Sequence, residues 1–195
     1  NLYRLAYYDE LTDLPNRTLF QEKIDHAIDL AKRSTRAMAL LFIDLDRFKL
    51  INDTLGHDAG DALLRAAAQR LKECVRRSDL VARLGGDEFV VMLEELRHAE
   101  DAAVTAQKII AVLSHPFNLN GLEMQVSASI GITLFPEDAD TSSGLIKNAD
   151  TAMYRAKERG RNGYQFFTAD LHQRSQRRLW LETELRHAMP RGELQ

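Results

Sequence analysis

The sequence contains one cysteine, Cys74, among its 195 residues, so no internal disulfide can form. A lone thiol is typical of a reducing compartment, and we expect a cytoplasmic domain even where a longer parent protein is membrane-anchored. The longest apolar run, residues 37–43, has seven residues, far below the roughly 20 that a membrane-spanning helix needs. The first residues also lack the charged, apolar and small order of a signal peptide. We therefore expect no direct membrane contact.

An excess of basic charge is also missing. The chain has 26 Lys and Arg residues against 29 Asp and Glu residues, which gives a net charge of −3 and a pI near 6.1. This balance argues against a nucleic-acid partner or an anionic membrane held by charge alone. The six histidines are scattered without paired ligand spacing, so a zinc site is not expected. Apolar residues make up 45% of the chain, which is enough for a folded core and excludes wholesale disorder.

The hydrophobic pattern predicts an α+β fold. Residues 37–43 are uniformly apolar, as in a central strand covered on both faces. Residues 124–134 alternate between apolar and polar, which predicts a half-buried antiparallel strand. The pattern further predicts helices over 17–33, 47–54, 58–77, 98–113 and 142–159, and strands over 80–83, 89–93 and 164–167. This order indicates a mainly antiparallel central sheet flanked by helices.

The composition changes after residue 168. Residues 171–189 are rich in Arg, Glu and Leu, and Pro190 and Gly192 follow them. This pattern predicts a connecting helix that stops near Pro190. We therefore divide the chain into a domain over residues 1–168 and a connecting helix with the start of a following domain over residues 169–195.

Acidic residues stand where two predicted strands meet turns. Asp44 and Asp46 end the buried strand, and Asp87 and Glu88 follow the glycine pair at 85–86. If the two strands are neighbours, Asp44 and Asp87 converge, and two such carboxylates repel each other unless a cation neutralises them. Carboxylate oxygens without imidazole or thiolate suit Mg²⁺ or Mn²⁺. The alternative is that these acids are ordinary turn residues.

The glycine pair favours the functional interpretation. Without a Cβ, Gly85 and Gly86 allow an anionic ligand to lie against the backbone. A given pentapeptide such as GGDEF, residues 85–89, is expected by chance on the order of once in ten thousand chains of this length. The segment resembles the signature of the GGDEF family, the diguanylate cyclases.

Three further segments resemble motifs of the same family in the same order. They are DELTDLPNR at 9–17, DLDRFKLINDTLGHDAGD at 44–61 and ADTAMYRAKERGRN at 149–162. The resemblance therefore extends from about Asp9 to Phe167. The tail, residues 181–188 and 192–195, resembles the lead-in to an EAL phosphodiesterase domain, and the chain is expected to come from a tandem protein.

The resemblance implies both a fold and a reaction. The implied fold is a ferredoxin-like palm similar to that of adenylate cyclases and polymerases. The implied activity is that of a nucleotidyltransferase, which joins two GTP into cyclic di-GMP and releases two pyrophosphates. Two domains face each other, so the expected partner is a second GGDEF domain in a homodimer. Each site is expected to use two Mg²⁺ (or Mn²⁺) ions.

Several residues acquire metal and acid–base roles through this resemblance. Asp44, Asp87 and the carbonyl of Leu45 are implied as the metal ligands. Either Glu88 or Asp87 is implied as the base that takes the proton from the 3′-hydroxyl. A carboxylate already bound to metal is a poor base, so this assignment stays open between the two.

Other residues match positions that bind the nucleotide. Asn52 and Asp61 are implied as guanine readers, and His57 as a contact to ribose or base. Phe48 and Lys49 begin a short helix whose free N–H groups suit phosphate, and Lys49 could also stabilise transition-state charge. Without the resemblance, Asn52 would be a helix cap, Asp61 a partner of the helix dipole, and His57 and Lys49 solvated side chains.

Two more pairs complete the implied sites. Lys157 and Arg161 are implied to bind the β- and γ-phosphates, although cations are also ordinary at a helix C-terminus. Arg76 and Asp79 match the inhibitory site, at which product cyclic di-GMP binds. An arginine can pair with guanine O6 and N7 or with phosphate, whereas the alternative for Arg76 is charge compensation at a helix end.

Two other functions stay open from the sequence. The domain could bind GTP and regulate an adjoining cyclic di-GMP phosphodiesterase domain. It could also be a purely structural dimerisation module, a reading that the full set of implied metal and phosphate residues argues against.

Overall fold

The computed structural model describes residues 2–191. Residues 192–195, which include Gly192 of the predicted helix stop and the second part of the EAL-like segment, lie outside the described residues. The helices are α1 (Leu2–Tyr7), α2 (Arg17–Ser34), α3 (Phe48–Leu55), α4 (His57–Cys74), α5 (Asp101–Ser114), α6 (Ser142–Glu158) and α7 (Ala169–Arg191). The strands are β1 (Ala37–Leu45), β2 (Leu80–Gly85), β3 (Glu88–Leu96), β4 (Phe117–Leu119), β5 (Leu122–Met124), β6 (Ala128–Phe135) and β7 (Gly163–Phe166).

A five-stranded sheet in the order β2-β3-β1-β6-β7 forms the centre of the fold. Its pairs are antiparallel except β6 with β7, which run parallel. The predicted α+β class and the mainly antiparallel sheet are therefore confirmed.

Strand β1 is buried on both faces, as its uniformly apolar sequence predicts. Alternate side chains point to opposite sides of a strand. Leu40 and Phe42 pack with residues of α2 and α6 on one face. Leu41 and Ile43 pack with residues of α4 and α5 on the other face. The sheet is therefore the middle of three layers, and its central strand belongs to two cores.

The prediction of one half-buried strand over 124–134 is wrong in two respects. All eight residues of β6 are buried, because α6 covers the face that carries the polar residues. Thr133 Oγ1 donates a hydrogen bond to the Leu145 carbonyl at 3.1 Å there. The preceding residues instead form a separate hairpin of β4 and β5, whose turn, Asn120-Gly121, has positive φ angles of 53° and 87°. An Asn-Gly pair is a known hairpin signal.

Smaller differences occur at element ends. Helix α4 ends at Cys74 rather than 77, because Val75 takes an extended backbone. Helix α7 continues to Arg191, through position 190, where a stop was predicted. The short α1 was not predicted at all. Among residues 2–191, every helix is too short or too polar to span a lipid bilayer.

We predict that Gly131→Ala destabilises the fold by roughly 3 kcal/mol. A Cβ at this position in β6 would lie 1.9 Å from the Ala149 carbonyl oxygen and 2.3 Å from the Met153 nitrogen. Both are backbone atoms of α6, so relief requires the helix to move away from the sheet. Urea unfolding of the variant measures the loss.

Gly163→Ala is the matched control on the adjacent strand β7, where an added Cβ would meet nothing closer than 3.6 Å. We expect this change to alter stability by less than about 1 kcal/mol. Equal losses in the two variants would show that close approach of α6 is not the reason for glycine at 131.

Candidate active site

The pairing of β1 with β3 gathers three carboxyl groups at one edge of the sheet. Asp44 and Glu88 are direct cross-strand partners. The backbone N–H of Leu45 reaches the Asp87 carbonyl at 3.4 Å, and the Asp87 carboxyl contacts that of Asp44. The two strands are thus neighbours, and the predicted convergence of Asp44 and Asp87 is present in the structure.

The Asp44 carboxyl is held where its negative charge is unfavourable. Burial, followed by the contact with Asp87, raises the pKa of Asp44 to about 7, although Lys157 opposes the rise. Lys157 Nζ donates to Asp44 Oδ2 at 2.9 Å, whereas Asp44 Oδ1 is buried and has no hydrogen-bond partner among residues 2–191. When both acids are ionised, neither can donate to the other. Lys157 therefore does not fully neutralise the two carboxylates, Asp44 and Asp87.

Glu88 is in a similar environment. Burial raises the pKa of Glu88, and repulsion from Asp44 and Asp150 adds to the effect. Among residues 2–191, no group of three or more His, Cys, Asp and Glu side chains is arranged to hold a metal ion. A cation at this edge would therefore need backbone or ligand oxygens besides the carboxylates.

The glycine turn at this edge is exposed, and hydrogen bonds from Arg83 hold it in place. Gly85 and Gly86 have φ angles of 144° and 49°, and nothing lies within 4 Å of an added Cβ at either. The Arg83 guanidinium donates to the Gly86 carbonyl at 2.7 and 3.0 Å and to both carboxylate oxygens of Asp9 at 2.9 Å. The motif at 9–17 therefore supports the turn, a role that the sequence did not reveal.

A second orphan acceptor lies between α3 and α4. Asn52 Oδ1 is buried and accepts no hydrogen bond from the described part of the chain, and a Cβ on Gly60 would lie 1.8 Å from it. The Phe48 ring borders the same spot, with its Cζ 3.2 Å from that Cβ position. Asp61, half-buried, follows Gly60 directly. The structure thus brings Phe48 and Asn52 together beside the residue that precedes Asp61.

The N-terminus of α3 has no side-chain cap. Arg47 precedes the helix with a φ of 59° and makes no capping hydrogen bond, so backbone N–H groups of the first turn stay available. Phe48 and Lys49 are its first two residues. Lys49 and His57 are exposed, and their side chains make no hydrogen bond or ion pair with another described residue.

Asp46 is a functional candidate that the sequence did not identify by role. Its buried carboxylate accepts hydrogen bonds from Ser129 Oγ at 2.7 Å, Ser127 Oγ at 2.6 Å and the Asn162 N–H at 3.1 Å. The last bond fixes the segment that holds Arg161, whose φ is 63°. Asp46 and Arg161 also line a cavity of about 600 Å³. The sequence signal for this role was the pair of serines at alternate positions, Ser127 and Ser129, together with an acid at the end of a buried strand.

Arg76 and Asp79 lie together in a different cavity. The Arg76 N–H donates to Asp79 Oδ2 at 3.0 Å, and the Asp79 N–H donates to the Arg76 carbonyl at 3.0 Å. Both residues line a cavity of about 440 Å³ whose lining includes neither Asp44 nor Asp87. The structure therefore keeps these two residues together and apart from the acidic edge.

Comparison with known proteins agrees with this geometry. The family model described as "Diguanylate cyclase, GGDEF domain" matches residues 6–163. The bifunctional diguanylate cyclase/cyclic di-GMP phosphodiesterase MucR of Pseudomonas aeruginosa is 47% identical over 193 residues, which are 99% of this chain and 28% of that protein. Diguanylate cyclase TpbB of the same species is 48% identical over 162 residues, 83% of this chain and 37% of that protein. The chain thus spans well under half the length of these relatives.

Solved structures show the same fold. The GGDEF domain of TpbB superposes with a TM-score of 0.81 at 44% identity, covering 87% of this chain and 99% of that chain. The coiled coil and GGDEF domain of DgcB from Caulobacter crescentus, in complex with c-di-GMP, superposes with a TM-score of 0.77 at 28% identity, covering 85% and 87%. The fold is the α+β fold of solved GGDEF domains, a central sheet flanked by helices, and it has an acidic edge at its central strands. The chain belongs to the GGDEF domain family.

We predict that Asp9→Asn lowers the free energy of unfolding at pH 7 by about 1–3 kcal/mol. Burial alone would raise the pKa of Asp9, but hydrogen bonds from Thr12 and Arg83 outweigh it and hold the pKa below its usual value. A lowered folded-state pKa stabilises the fold above the unfolded value of 3.8. The difference in unfolding free energy between wild type and Asp9→Asn should therefore reach its full value at pH 7, and it should disappear as the pH falls below about 4.

Asp13→Asn is the control for thermal unfolding across this pH range. Asp13 pairs with Arg4, but the two side chains are 61% and 63% exposed, so its loss should change stability by less than about 1 kcal/mol. A pH-independent difference between wild type and Asp9→Asn would contradict the proposed ionic brace.

We also predict that Asp44→Asn increases stability when divalent metal is removed by chelation. The folded pKa of Asp44 lies above its unfolded value of 3.8, so ionisation destabilises the fold progressively between about pH 4 and 7. The neutral variant should exceed wild type by on the order of 2 kcal/mol at pH 8 and match it near pH 4.

Asp140→Asn provides an exposed acid as control, with an expected change below about 0.5 kcal/mol. If Asp44→Asn were less stable than wild type at pH 8 in chelator, the contact with Lys157 would stabilise ionised Asp44 by more than burial and repulsion from Asp87 destabilise it.

Proposed function

We propose that this chain is a diguanylate cyclase domain that condenses two GTP molecules into cyclic di-GMP. Each of two domains binds one GTP, and the 3′-hydroxyl of each nucleotide attacks the α-phosphate of the other. Each attack forms one phosphodiester bond, releases one pyrophosphate and requires removal of the hydroxyl proton. The observation that carries the proposal is the buried, unpartnered Asp44 Oδ1 beside Asp87 and Glu88 in a chain of the GGDEF family.

The acidic edge fits Mg²⁺ or Mn²⁺. Asp44 Oδ1, the Asp87 carboxylate and the Leu45 carbonyl are hard oxygen donors, and Mg²⁺ ordinarily completes its shell with water and substrate phosphate. One or two such ions would supply charge neutralisation at the phosphates. Lys157 now contacts Asp44 at 2.9 Å, and we propose that it exchanges this carboxylate for a phosphate when a divalent ion binds there.

The other phosphate contacts come from main chain and basic side chains. The uncapped first turn of α3, at Phe48 and Lys49, offers N–H groups and a positive dipole end to the phosphates. Lys49 is exposed and free to turn toward transition-state charge. Arg161 is presented by a segment that Asp46 ties to the sheet, which limits the movement of its guanidinium.

Asn52 and Asp61 are the proposed guanine readers. Asn52 Oδ1 is a buried acceptor without a donor, which the N–H groups of guanine could satisfy. Asp61 accepting from guanine N1–H and the exocyclic amine would reject adenine, which has an acceptor at N1. The exposed His57, at the start of α4, is proposed to contact the ribose or the base.

Glu88 is the better placed of the two proposed bases. Its pKa is raised by burial and by the neighbouring carboxylates, which moves it toward the working pH. Asp87 is the worse candidate, because a carboxylate bound to metal loses basicity.

A second copy of the domain is required because one site holds one GTP. The exposed glycine turn at Gly85 and Gly86, with no atom within 4 Å of the Cβ positions, leaves this edge accessible to a facing domain. Product binding at Arg76 and Asp79 would provide feedback inhibition. A DgcB structure in complex with c-di-GMP is consistent with product binding by a related domain.

The placement of this domain in a longer protein suggests a second candidate function. We propose that residues 1–168 form the cyclase domain and that 169–195 lead into an EAL-like domain. MucR, a bifunctional cyclase and phosphodiesterase, matches 99% of this chain with 28% of its own length. In such a parent protein, the domain could act instead as a GTP-binding regulator of the phosphodiesterase.

We predict that the chain at high protein concentration converts GTP and Mg²⁺ to cyclic di-GMP, and that Asp87→Ala lowers the rate at least about 100-fold. Chromatographic measurement of product over a concentration series should show a rate per domain that rises with protein concentration, because two domains must meet. Asp140→Ala, an exposed acid away from the site, should retain the wild-type rate.

Wild-type rates in Asp87→Ala would refute the assignment of the site. GTP binding without product at any protein concentration would instead support the regulatory function. Absence of GTP binding would leave only a structural dimerisation role.

A further inference from the structure

Helix α7 contributes a side chain to the cavity that contains Arg76 and Asp79. The cavity has a volume of about 440 Å³ and lies where the end of β3 and the start of α5 meet α7. Arg178 is the residue of α7 in its lining, which also includes Arg97, His98 and Asp101. The proposed product site is therefore not built from the cyclase domain alone.

The basic groups of this cavity are incompletely paired. The guanidinium groups of Arg76 and Arg97 make no hydrogen bond or ion pair with any described residue. Arg178 Nη1 lies 3.9 Å from Asp101 Oδ1, and Arg178 Nε donates to Glu182 Oε1 at 2.9 Å. The Arg178 side chain is 40% exposed, so its ion pairs contribute little to stability and exchange readily.

The lining combines three guanidinium groups with four carboxyl groups, those of Asp79, Glu94, Glu95 and Asp101. Guanidinium beside carboxylate suits a ligand that combines phosphates with the N–H groups of guanine. Arginine binds phosphate through paired, charge-assisted hydrogen bonds, and it recognises guanine through O6 and N7. Asp79 Oδ2 accepts the Arg76 N–H, which leaves Oδ1 to accept a guanine N–H. The cavity thus matches the chemistry of a cyclic guanine dinucleotide better than that of a simple anion.

We propose that Arg178 is a third binding residue of the product site, so that cyclic di-GMP bound at Arg76 and Asp79 also fixes helix α7 against α5. The proposal rests on the proposed function, in which this dinucleotide is the product. Binding exchanges the weak contact of Arg178 with Asp101 for a contact with the ligand. The position of α7 then reports product concentration to whatever follows it in the chain.

The contacts of α7 with the rest of the molecule make such a response feasible. Leu179 packs at the margin of the core, whereas Trp180 is 61% exposed. At these two positions, one side of the helix faces the core and the other faces solvent. Trp180 is also the only tryptophan of the chain and lies two residues from Arg178, so its fluorescence reports the local environment of α7.

The test is titration of the full chain with cyclic di-GMP, followed by calorimetry and by Trp180 fluorescence. Arg178→Ala should weaken binding about tenfold, which corresponds to loss of one charge-assisted contact, and should abolish the fluorescence change. Arg177→Ala removes an exposed neighbouring arginine of the same helix and should bind within about twofold of wild type with the fluorescence change intact.

Glu182→Ala separates ligand binding from helix stability. This variant removes the 2.9 Å partner of Arg178 but keeps the guanidinium. If Arg178 binds the ligand, Glu182→Ala should bind as tightly as wild type or more tightly. If Arg178 only stabilises the helix, Glu182→Ala should weaken binding as much as Arg178→Ala does, and the proposal fails.

Arg76→Ala separates the existence of the product site from the contribution of α7 to that site. Loss of binding in Arg76→Ala together with wild-type affinity and fluorescence in Arg178→Ala would overturn the role of α7 and leave the product site intact. Wild-type affinity in Arg76→Ala, or no binding by the wild-type chain, would overturn the product site and the role of α7 with it. Neither result depends on cyclase activity, which the Asp87→Ala experiment tests separately.

Discussion

Repulsion between carboxylates that the backbone holds together is the constraint on which the candidate site depends. The register of β1 with β3 sets Asp44 opposite Glu88, and neither strand can shift without turning its buried side chains toward the wrong core. The electrostatic strain is therefore maintained by the apolar packing of both sheet faces. An arrangement of this kind costs some stability, which a cation bound at the proposed metal site would restore.

Several distant groups fix the parts of the site that the sheet does not reach. Asp9 and Arg83 hold the glycine turn from outside, and Asp46 links the ends of β1 and β6 to the segment before β7. Each uses a charged group with nearly all its hydrogen-bonding capacity satisfied within the fold. Such interactions tolerate little rearrangement, and this explains how exposed loops can hold the side chains of the candidate site in fixed positions.

Local sequence patterns were sufficient for the central elements and insufficient for interactions between distant segments. The uniform apolar character of 37–43 correctly indicated burial on both faces, and the acids at 44 and 87 could be expected to meet. The alternation over 124–134 assigned the correct face to Ile130 and Ile132 but could not show that α6 covers the other face. Likewise, the bond of Asp9 with Arg83 and the bonds of Asp46 with Ser127 and Ser129 join residues 74, 81 and 83 positions apart, which no local period encodes.

The short connection between β7 and α7 has a mechanical consequence. Strand β7 ends at Phe166 and α7 begins at Ala169, so only two residues separate them. Arg155 of α6 donates to the Phe167 carbonyl in this junction at 2.9 Å, and Lys157 lies two residues further along the same helix. The start of α7 is therefore joined, through two residues and one hydrogen bond, to the helix that carries the Asp44 counterion.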